Sequence, residues 1–234
     1  MGCDIHFYTE KKIDGTWLPA DRWEPNKYAA EEGEPALTVP YEKAFYSGRN
    51  YCLFAILADV RNGRGFAGCD TGDGFVPIDS PRGLPDDVTG LVKADSDRWS
   101  GDGHSHSWFT VAELLAYDWT QTTKLRGFLS AHEFWRWNRW DRQRGESPTT
   151  WSGDVGGDKT RKVAEADMIA HLEHYGSDWA AEDRIKSELA SVYCQCEWEQ
   201  PYYKAGRGFW SDAIPQLLRL GKPEDVRVVF WFDN

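Results

Sequence analysis

The sequence predicts an α+β fold: an antiparallel sheet formed by the N- and C-terminal strands, covered by helices and joined by long loops rich in glycine and proline. Residues 2–10 place side chains alternately on two faces, the period of a strand, and residues 226–232 (VRVVFWF) are strongly strand-like. Two helix-capping patterns lie between these ends. Because no internal repeat or flexible linker interrupts the chain, we predict a single domain over residues 1–234.

The first third of the chain is predicted to contain a hairpin and a buried helix. A turn at Asp14-Gly15 joins the strand of residues 2–10 to a returning strand over residues 16–20. Residues 49–60 (RNYCLFAILADV) are apolar and rich in leucine and alanine, which favours a buried helix over a strand. Two segments are predicted to be loops because they are polar or rich in glycine and proline: residues 21–48 and 61–85.

The rest of the chain is predicted to be mainly helical before the last strands. Thr110 with Glu113, and Ser130 with Glu133, have the spacing of capping boxes and so predict two helix starts. Further helices are predicted over residues 161–175, 179–190 (capped by Asp178) and 211–220 (ended by Gly221), and strands over residues 192–198 and 226–232.

The composition makes the chain acidic. Lys and Arg total 27 against 38 Asp and Glu, which gives a formal net charge of −11 and a pI near 5.0. Such a chain lacks the diffuse basic field that supplies non-specific affinity for DNA or RNA, so no extended nucleic acid is expected as a partner. The mean hydropathy is −0.64 and no apolar run approaches the roughly 20 residues of a membrane helix. No membrane partner is therefore expected.

The N-terminal residues and the cysteines indicate a cytoplasmic protein. Residues 1–10 carry Asp4, His6 and Glu10, which predicts that they are not a secretory signal. The five cysteines include no CxxC pair, so a zinc-finger framework is not indicated, and reduced thiols are expected. The sequence does not indicate an oligomeric state.

Four arginines mark the glycine-rich half of this acidic chain: Arg49, Arg61, Arg64 and Arg82. Guanidinium groups recognise phosphate through paired hydrogen bonds. Aromatic residues make up 15% of the chain, including 13 Trp, and their ring faces suit planar ligands. We therefore predict a site for a phosphorylated small molecule at these arginines and Trp108. In the alternative interpretation, the arginines only tie loops to acidic neighbours.

Two pairs of possible metal ligands have the same spacing. Asp4 and His6 lie two positions apart in a predicted strand, and His104 and His106 repeat the spacing in GDGHSHSW. Side chains two apart share one face of a strand, and carboxylates with imidazoles are zinc ligands. The sequence thus leaves two cofactor predictions open: none, or a divalent metal such as zinc held by these four residues.

Five segments carry a resemblance to a known family: MGCDIH (1–6), RNYCLFAILADVRNG (49–63), PRGLPDDV (81–88), GDGHSHSW (101–108) and VRVVFWFDN (226–234). Through them the chain resembles a family of uncharacterised proteins found largely in bacteriophages and related genomes. These segments are spread over most of the chain, and the resemblance brings no established activity or catalytic residue. It implies a viral setting, with the protein in the cytoplasm of a bacterial host.

Three functions follow as hypotheses. The leading one is a small-molecule binding protein, not an enzyme, that sequesters a phosphorylated nucleotide-like ligand, as phage sponges do in counter-defence. The second is a metal-dependent hydrolase or phosphodiesterase, in which a metal-activated water attacks the substrate. The third is a protein–protein inhibitor that presents an aromatic surface to a host enzyme.

Overall fold

The computed structural model describes residues 2–31, 34–99, 101–176 and 179–234, and of Trp179 only the backbone. The chain forms two compact units. The first comprises Met1–Asn62, Phe75–Thr120 and Tyr203–Asn234, and the second comprises Gly63–Gly74 and Gln121–Tyr202. The single domain expected over residues 1–234 stays a prediction.

The described residues combine strands and helices, so the predicted α+β class is confirmed. The strands are β1 (Asp4–Ile13), β2 (Thr16–Pro19), β3 (Glu24–Pro25), β4 (Leu37–Thr38), β5 (His104–Thr110), β6 (Thr122–Ser130), β7 (Arg161–Val163), β8 (Val192–Pro201) and β9 (Val226–Asp233). The α-helices are α1 (Tyr51–Ala58), α2 (Gly90–Arg98), α3 (Val111–Ala116), α4 (Ala131–Arg136), α5 (Glu165–Leu172), α6 (Trp179–Glu188), α7 (Tyr202–Ala205) and α8 (Ile214–Leu217). Two π-helical turns span Trp137–Asp141 and Phe209–Ala213.

The main sheet of the first unit has the strand order β2-β1-β9-β5, and all neighbouring strands are antiparallel. β1 pairs with β9 from Asp4 opposite Asp233 to Lys11 opposite Val226. The predicted antiparallel sheet of N-terminal and C-terminal strands is therefore confirmed. Because β9 lies between two neighbours and both of its faces are covered, residues 226–232 are all buried, which explains why their sequence is apolar almost throughout.

Different aromatic layers cover the two faces of this sheet. On one face, Phe7 is buried and Phe54 of α1 packs against Phe232, with ring centroids 5.0 Å apart. On the other face, Val229 and Trp231 form a core cluster with Val92 of α2. Partly buried residues pack against that cluster: Tyr8, Trp23, Leu84, Val88, Trp99 and Trp108.

The predicted helix over residues 49–60 is confirmed as α1, which is shorter at both ends. The side-chain oxygen of Asn50 caps it by accepting hydrogen bonds from the N–H groups of Cys52 and Leu53. Asp59 ends it in a left-handed conformation (φ +59°). Arg49 therefore precedes the helix and Arg61 follows it, so that one arginine stands at each end.

The second unit contains a three-stranded sheet in the order β6-β8-β7, with β6 antiparallel and β7 parallel to β8. The buried residues Val192, Cys194, Cys196 and Trp198 alternate along β8. Their alternation confirms the strand predicted over residues 192–198 and extends it to Pro201.

Local sequence rules predicted some helix starts and missed others. The capping box at Thr110 is complete. The helix start predicted at Ser130 is also confirmed, since Ser130 caps α4 by accepting the N–H of Glu133. The Glu133 carboxylate, however, accepts from the N–H groups of Thr149 and Thr150. The helix predicted over residues 161–175 is wrong at its start, because residues 161–163 pair with β8 as strand β7 and the helix begins at Glu165. The helix predicted over residues 211–220 is replaced by a π turn followed by α8. Asp178, the predicted cap, lies outside the described residues.

Within the described part of the chain, no helix has the length and apolar character needed to cross a membrane.

Candidate functional site

Several segments singled out in the sequence meet at one end of the main sheet of the first unit. β1 and β5 begin at this end and β9 finishes there, because β9 is antiparallel to both neighbours. The end carries these side chains: Asp4 and His6 of β1, His104 of β5, Asp233 and Asn234 at the end of β9, and Arg49 and Arg61 from the ends of α1. We call this set the sheet-end cluster.

Arg49 makes a bidentate ion pair with Asp4. Its Nε is 2.6 Å from Oδ1 of Asp4, and its Nη2 binds Oδ2. The hydrogen bond from Arg49 lowers the pKa of the Asp4 carboxyl below its usual value. The two side chains are 54% and 49% exposed, so water and other anions have access to the pair. The guanidinium also packs against Gly2, where an added Cβ would lie 3.2 Å from Nη1.

Arg61 binds Asn234 and Gly2, and through Asn234 it fixes the hydrogen bonding of His104. Its Nη2 donates to Oδ1 of Asn234 at 3.0 Å and to the carbonyl of Gly2 at 3.3 Å. Because a guanidinium only donates, the amide oxygen of Asn234 faces Arg61 and its NH₂ group faces Nε2 of His104, 3.0 Å away. Nε2 of His104 is therefore an acceptor, and the ring proton lies on Nδ1, 3.0 Å from Ser105 Oγ.

A cleft of about 440 Å³ opens at this place and is lined by Val60, Arg61, His104 and Asn234. Its size falls in the range of small-molecule sites. Arg61 donates to the Gly2 carbonyl and Arg49 lies close to the same residue, so two guanidinium groups from separate segments lie near the cleft. Chemically, this arrangement favours a small anion, since the arginines and the Asn234 amide can donate hydrogen bonds to it.

His6 and His106 lie in the aromatic layer of the Trp231 face. The His6 ring stacks on Trp231 at 5.4 Å and contacts Trp99 at 4.3 Å, while Nε2 of His6 is 3.2 Å from Oδ2 of Asp233. His106 stacks on Trp231 at 5.5 Å, and its Nε2 is 3.0 Å from Ser96 Oγ. Burial lowers the pKa of His106 below its ordinary value, and His104 and His6 lower it further.

The expectation that His104 and His106 share a strand face is wrong. The register of β5 shifts between His104, opposite Phe232, and Ser107, opposite Phe230. One extra residue is accommodated there, and Ser105 has a positive φ of +52°. As a result His104 stacks near Phe232 and His106 stacks on Trp231, on opposite faces of the sheet.

The four predicted metal ligands do not form a preformed site. Asp4 binds Arg49, His6 binds Asp233, and the two histidines of β5 lie on different faces. Among the residues that the structure describes, no three or more His, Cys, Asp or Glu side chains are grouped so that they could hold a metal ion. The zinc alternative stays a prediction.

The other predicted ligand-binding residues lie elsewhere. Arg82 is ion-paired with Asp79 at 3.1 Å and Glu113 at 2.7 Å, and its guanidinium lies over the ring of Trp108. Trp108 packs against the core cluster of Trp231. Arg64 belongs to the second unit, where it is exposed and its backbone bridges to Asp70.

Asp233 and Asn234 were not predicted as site residues, although they contact His6, Asp4, Arg61 and His104. The predicted strand stopped at Phe232, one residue before them. Extending the alternation of β9 by one position places Asp233 on the Trp231 face, so the signal was present in the terminal FDN.

Comparison with models of known protein families, with curated proteins and with solved structures found no match.

Proposed function

We propose that this protein binds and sequesters a small phosphorylated, nucleotide-like ligand in the cleft of the sheet-end cluster. The observation that carries the proposal is the approach of Arg49 and Arg61 to the same residue, Gly2, beside a cleft of about 440 Å³. In a chain of net charge −11, the two guanidinium groups near this cleft supply the planar hydrogen-bond donors that suit a phosphate.

The partners of the two arginines allow an anion to enter. The Arg49–Asp4 pair is about half exposed, and such surface pairs contribute little to stability, so exchanging Asp4 for a phosphate oxygen costs little free energy. Arg61 is bound to a neutral carbonyl and a neutral amide. A phosphate oxygen that accepts from the same guanidinium would add an opposite charge to these neutral contacts.

A second candidate, hydrolysis of a phosphate ester, is favoured by one specific observation. The His6 imidazole is held by the Asp233 carboxylate at 3.2 Å, and a carboxylate that orients an imidazole is a common arrangement for a general base. In this alternative, the ligand would be returned as a cleaved product.

The test is a binding experiment with a chemical readout. The protein is incubated with inorganic phosphate, ribose 5-phosphate and a panel of linear and cyclic nucleotides, then filtered, and both the filtrate and the ligand released by heat are analysed. Sequestration predicts that the ligand returns unchanged. Cleaved product would instead support hydrolysis: cleavage that persists with chelator would support His6 as general base, and cleavage that is lost with chelator would support the metal-dependent hydrolase.

Two arginine variants test the location of the site. Arg61→Ala and Arg49→Ala should each weaken binding about ten- to a hundredfold, since a hydrogen bond to a charged group contributes roughly 1.5–3 kcal/mol. Arg64→Ala, an exposed arginine of the other unit, is the matched control and should bind as the parent does. Unchanged affinity in both cleft variants would show that the ligand binds elsewhere.

A further inference from the structure

A second cavity, of about 730 Å³, lies in the second unit and is lined by side chains of the helical segment around Trp137–Asp141 and of α5. We call it the tryptophan groove. Trp135 forms part of its wall and is 6% exposed, whereas Trp140 is 40% exposed. An indole so open to solvent at the rim of a cavity has a ring surface that a ligand can cover.

A π-helical turn builds the aromatic part of this groove. Trp135 and Trp140 are five positions apart, which in a regular α-helix would direct them about 140° away from each other. The π turn over Trp137–Asp141 accommodates one extra residue per turn and brings the two rings into edge contact, with centroids 4.9 Å apart. Turns of this type are rare and occur frequently at functional sites.

Among the described residues, the Arg139 guanidinium in the groove pairs with no carboxylate. The Arg139 guanidinium lies 5.9 Å from the centroids of both Trp135 and Trp140. Glu173 also lines the groove, but no carboxylate of the described residues lies within 4 Å of Arg139. An arginine beside two indoles can stack the flat face of its guanidinium on a ring and still donate hydrogen bonds from its N–H edge to an anion.

Amide side chains complete the lining. Asn138 and Gln143 both face the groove. The Asn138 oxygen accepts a hydrogen bond from Arg142 at 3.3 Å, which leaves its NH₂ group as a donor, and Gln143 is exposed. Amides that donate and accept together match the edge of adenine.

From these observations we infer that the tryptophan groove is a second ligand site, and that it binds a purine nucleotide. The base stacks on Trp140, an amide side chain pairs with its edge, and Arg139 binds the phosphate. This site is independent of the cleft of the sheet-end cluster, because none of its residues belongs to that cluster.

The test is calorimetric titration of the full chain with adenosine, AMP and ribose 5-phosphate. The parent should bind AMP more tightly than adenosine. Trp140→Ala should weaken the binding of both about five- to a hundredfold, the usual effect of removing a stacking ring, while Trp140→Phe keeps most of the affinity. Arg139→Ala should weaken AMP binding about tenfold and leave adenosine within about twofold.

Arg144→Ala is the matched control, since Arg144 is an exposed arginine of the same segment and does not line the groove. An equal loss of AMP affinity in Arg144→Ala and Arg139→Ala would overturn the proposal by showing a general charge effect. Failure of the parent to bind adenosine at millimolar concentration would also overturn the proposal for the tryptophan groove, and would not bear on the proposed site at the sheet-end cluster. If ribose 5-phosphate binds equally well to the parent and to Arg61→Ala, the cleft of the sheet-end cluster is rejected as a ligand site, and the proposal for the tryptophan groove is not affected.

Discussion

His6 of β1 and Asp233 of β9 meet diagonally across the two strands: Nε2 of His6 lies 3.2 Å from Oδ2 of Asp233, although 227 positions separate them in the chain. The other oxygen of the same carboxylate accepts the backbone N–H of Asp4 at 3.1 Å. One carboxylate thus ties the start of β1 to the end of β9. With side-chain exposures of 16% and 19%, the contact is largely shielded from water, which strengthens it.

We expect Asp233→Ala to lower the free energy of unfolding by about 1–3 kcal/mol, because it leaves the His6 ring and the Asp4 N–H without their acceptor. Urea denaturation measures this change. Asp97→Ala is the control, since Asp97 pairs with Lys93 at an exposed position of α2 and should change stability by no more than about 0.5 kcal/mol. Equal losses in the two variants would contradict a special role for Asp233.

The parts of the fold that sequence reasoning captured depend on local patterns. The alternation along β1, the cap at Thr110 and the apolar run of α1 each act within a few residues, so they can be read directly from the chain. β7 could not be predicted in this way. Residues 161–163 become a strand only because β8, some 30 residues later, offers an edge for parallel pairing.

The candidate site was predictable only in part. Arg49 and Arg61 were identified by residue type, but their approach to Gly2 depends on how α1 packs beside β1. The opposite faces of His104 and His106 result from the bulge at Ser105, a positive-φ serine that no sequence signal marks. Likewise, the contact between Trp135 and Trp140 requires a π turn, whereas ordinary helical spacing would separate them.

The buried carboxyl of Asp21 predicts a loss of stability as the pH rises. Burial raises the pKa of Asp21 to about 7, although its Oδ2 accepts the backbone N–H of Thr9. In an unfolded chain the pKa is about 3.9. Between these two pH values the folded state therefore binds more protons than the unfolded state. The contribution of Asp21 to stability is fully present below about pH 4 and is lost as the pH rises through 7.

Asp21→Asn tests this linkage. The neutral amide can still accept the Thr9 N–H, so the variant should be more stable than the parent at pH 8, by an amount on the order of 2–4 kcal/mol. At pH 4 the two proteins should differ little. Urea denaturation at several pH values gives the free energy of unfolding of both proteins as a function of pH. If the stability of Asp21→Asn fell with rising pH as steeply as that of the parent, Asp21 would be ruled out as the origin of the parent's pH dependence.

His106 predicts the opposite dependence of stability on pH in the mildly acidic range. Because burial lowers its pKa below the ordinary 6.5, the unfolded state binds more protons than the folded state at mildly acidic pH. Stability from this group is thus present above pH 6.5 and is lost as the pH falls through the lowered pKa. His106→Gln, which keeps a polar group near Ser96, should flatten this decline in thermal melts between pH 7 and 5. His174→Gln, at an exposed histidine, should leave the decline as in the parent.

Gly72 has a backbone position that no larger residue fits. Its φ is +131°, and an added Cβ would overlap the carbonyl oxygen of Lys124 and lie 2.8 Å from Cα of Leu125, the residue with which Gly72 forms a β-bridge. Gly72→Ala should therefore lower the free energy of unfolding by roughly 2–4 kcal/mol, through crowding added to backbone strain. Gly68→Ala is the control for backbone strain alone, because Gly68 also has a positive φ (+76°) but an added Cβ there meets nothing within 4 Å. This substitution should lower the free energy of unfolding by about 1 kcal/mol. Urea denaturation followed by circular dichroism compares the two variants, and equal losses would show that the β-bridge to Leu125 is not what requires glycine.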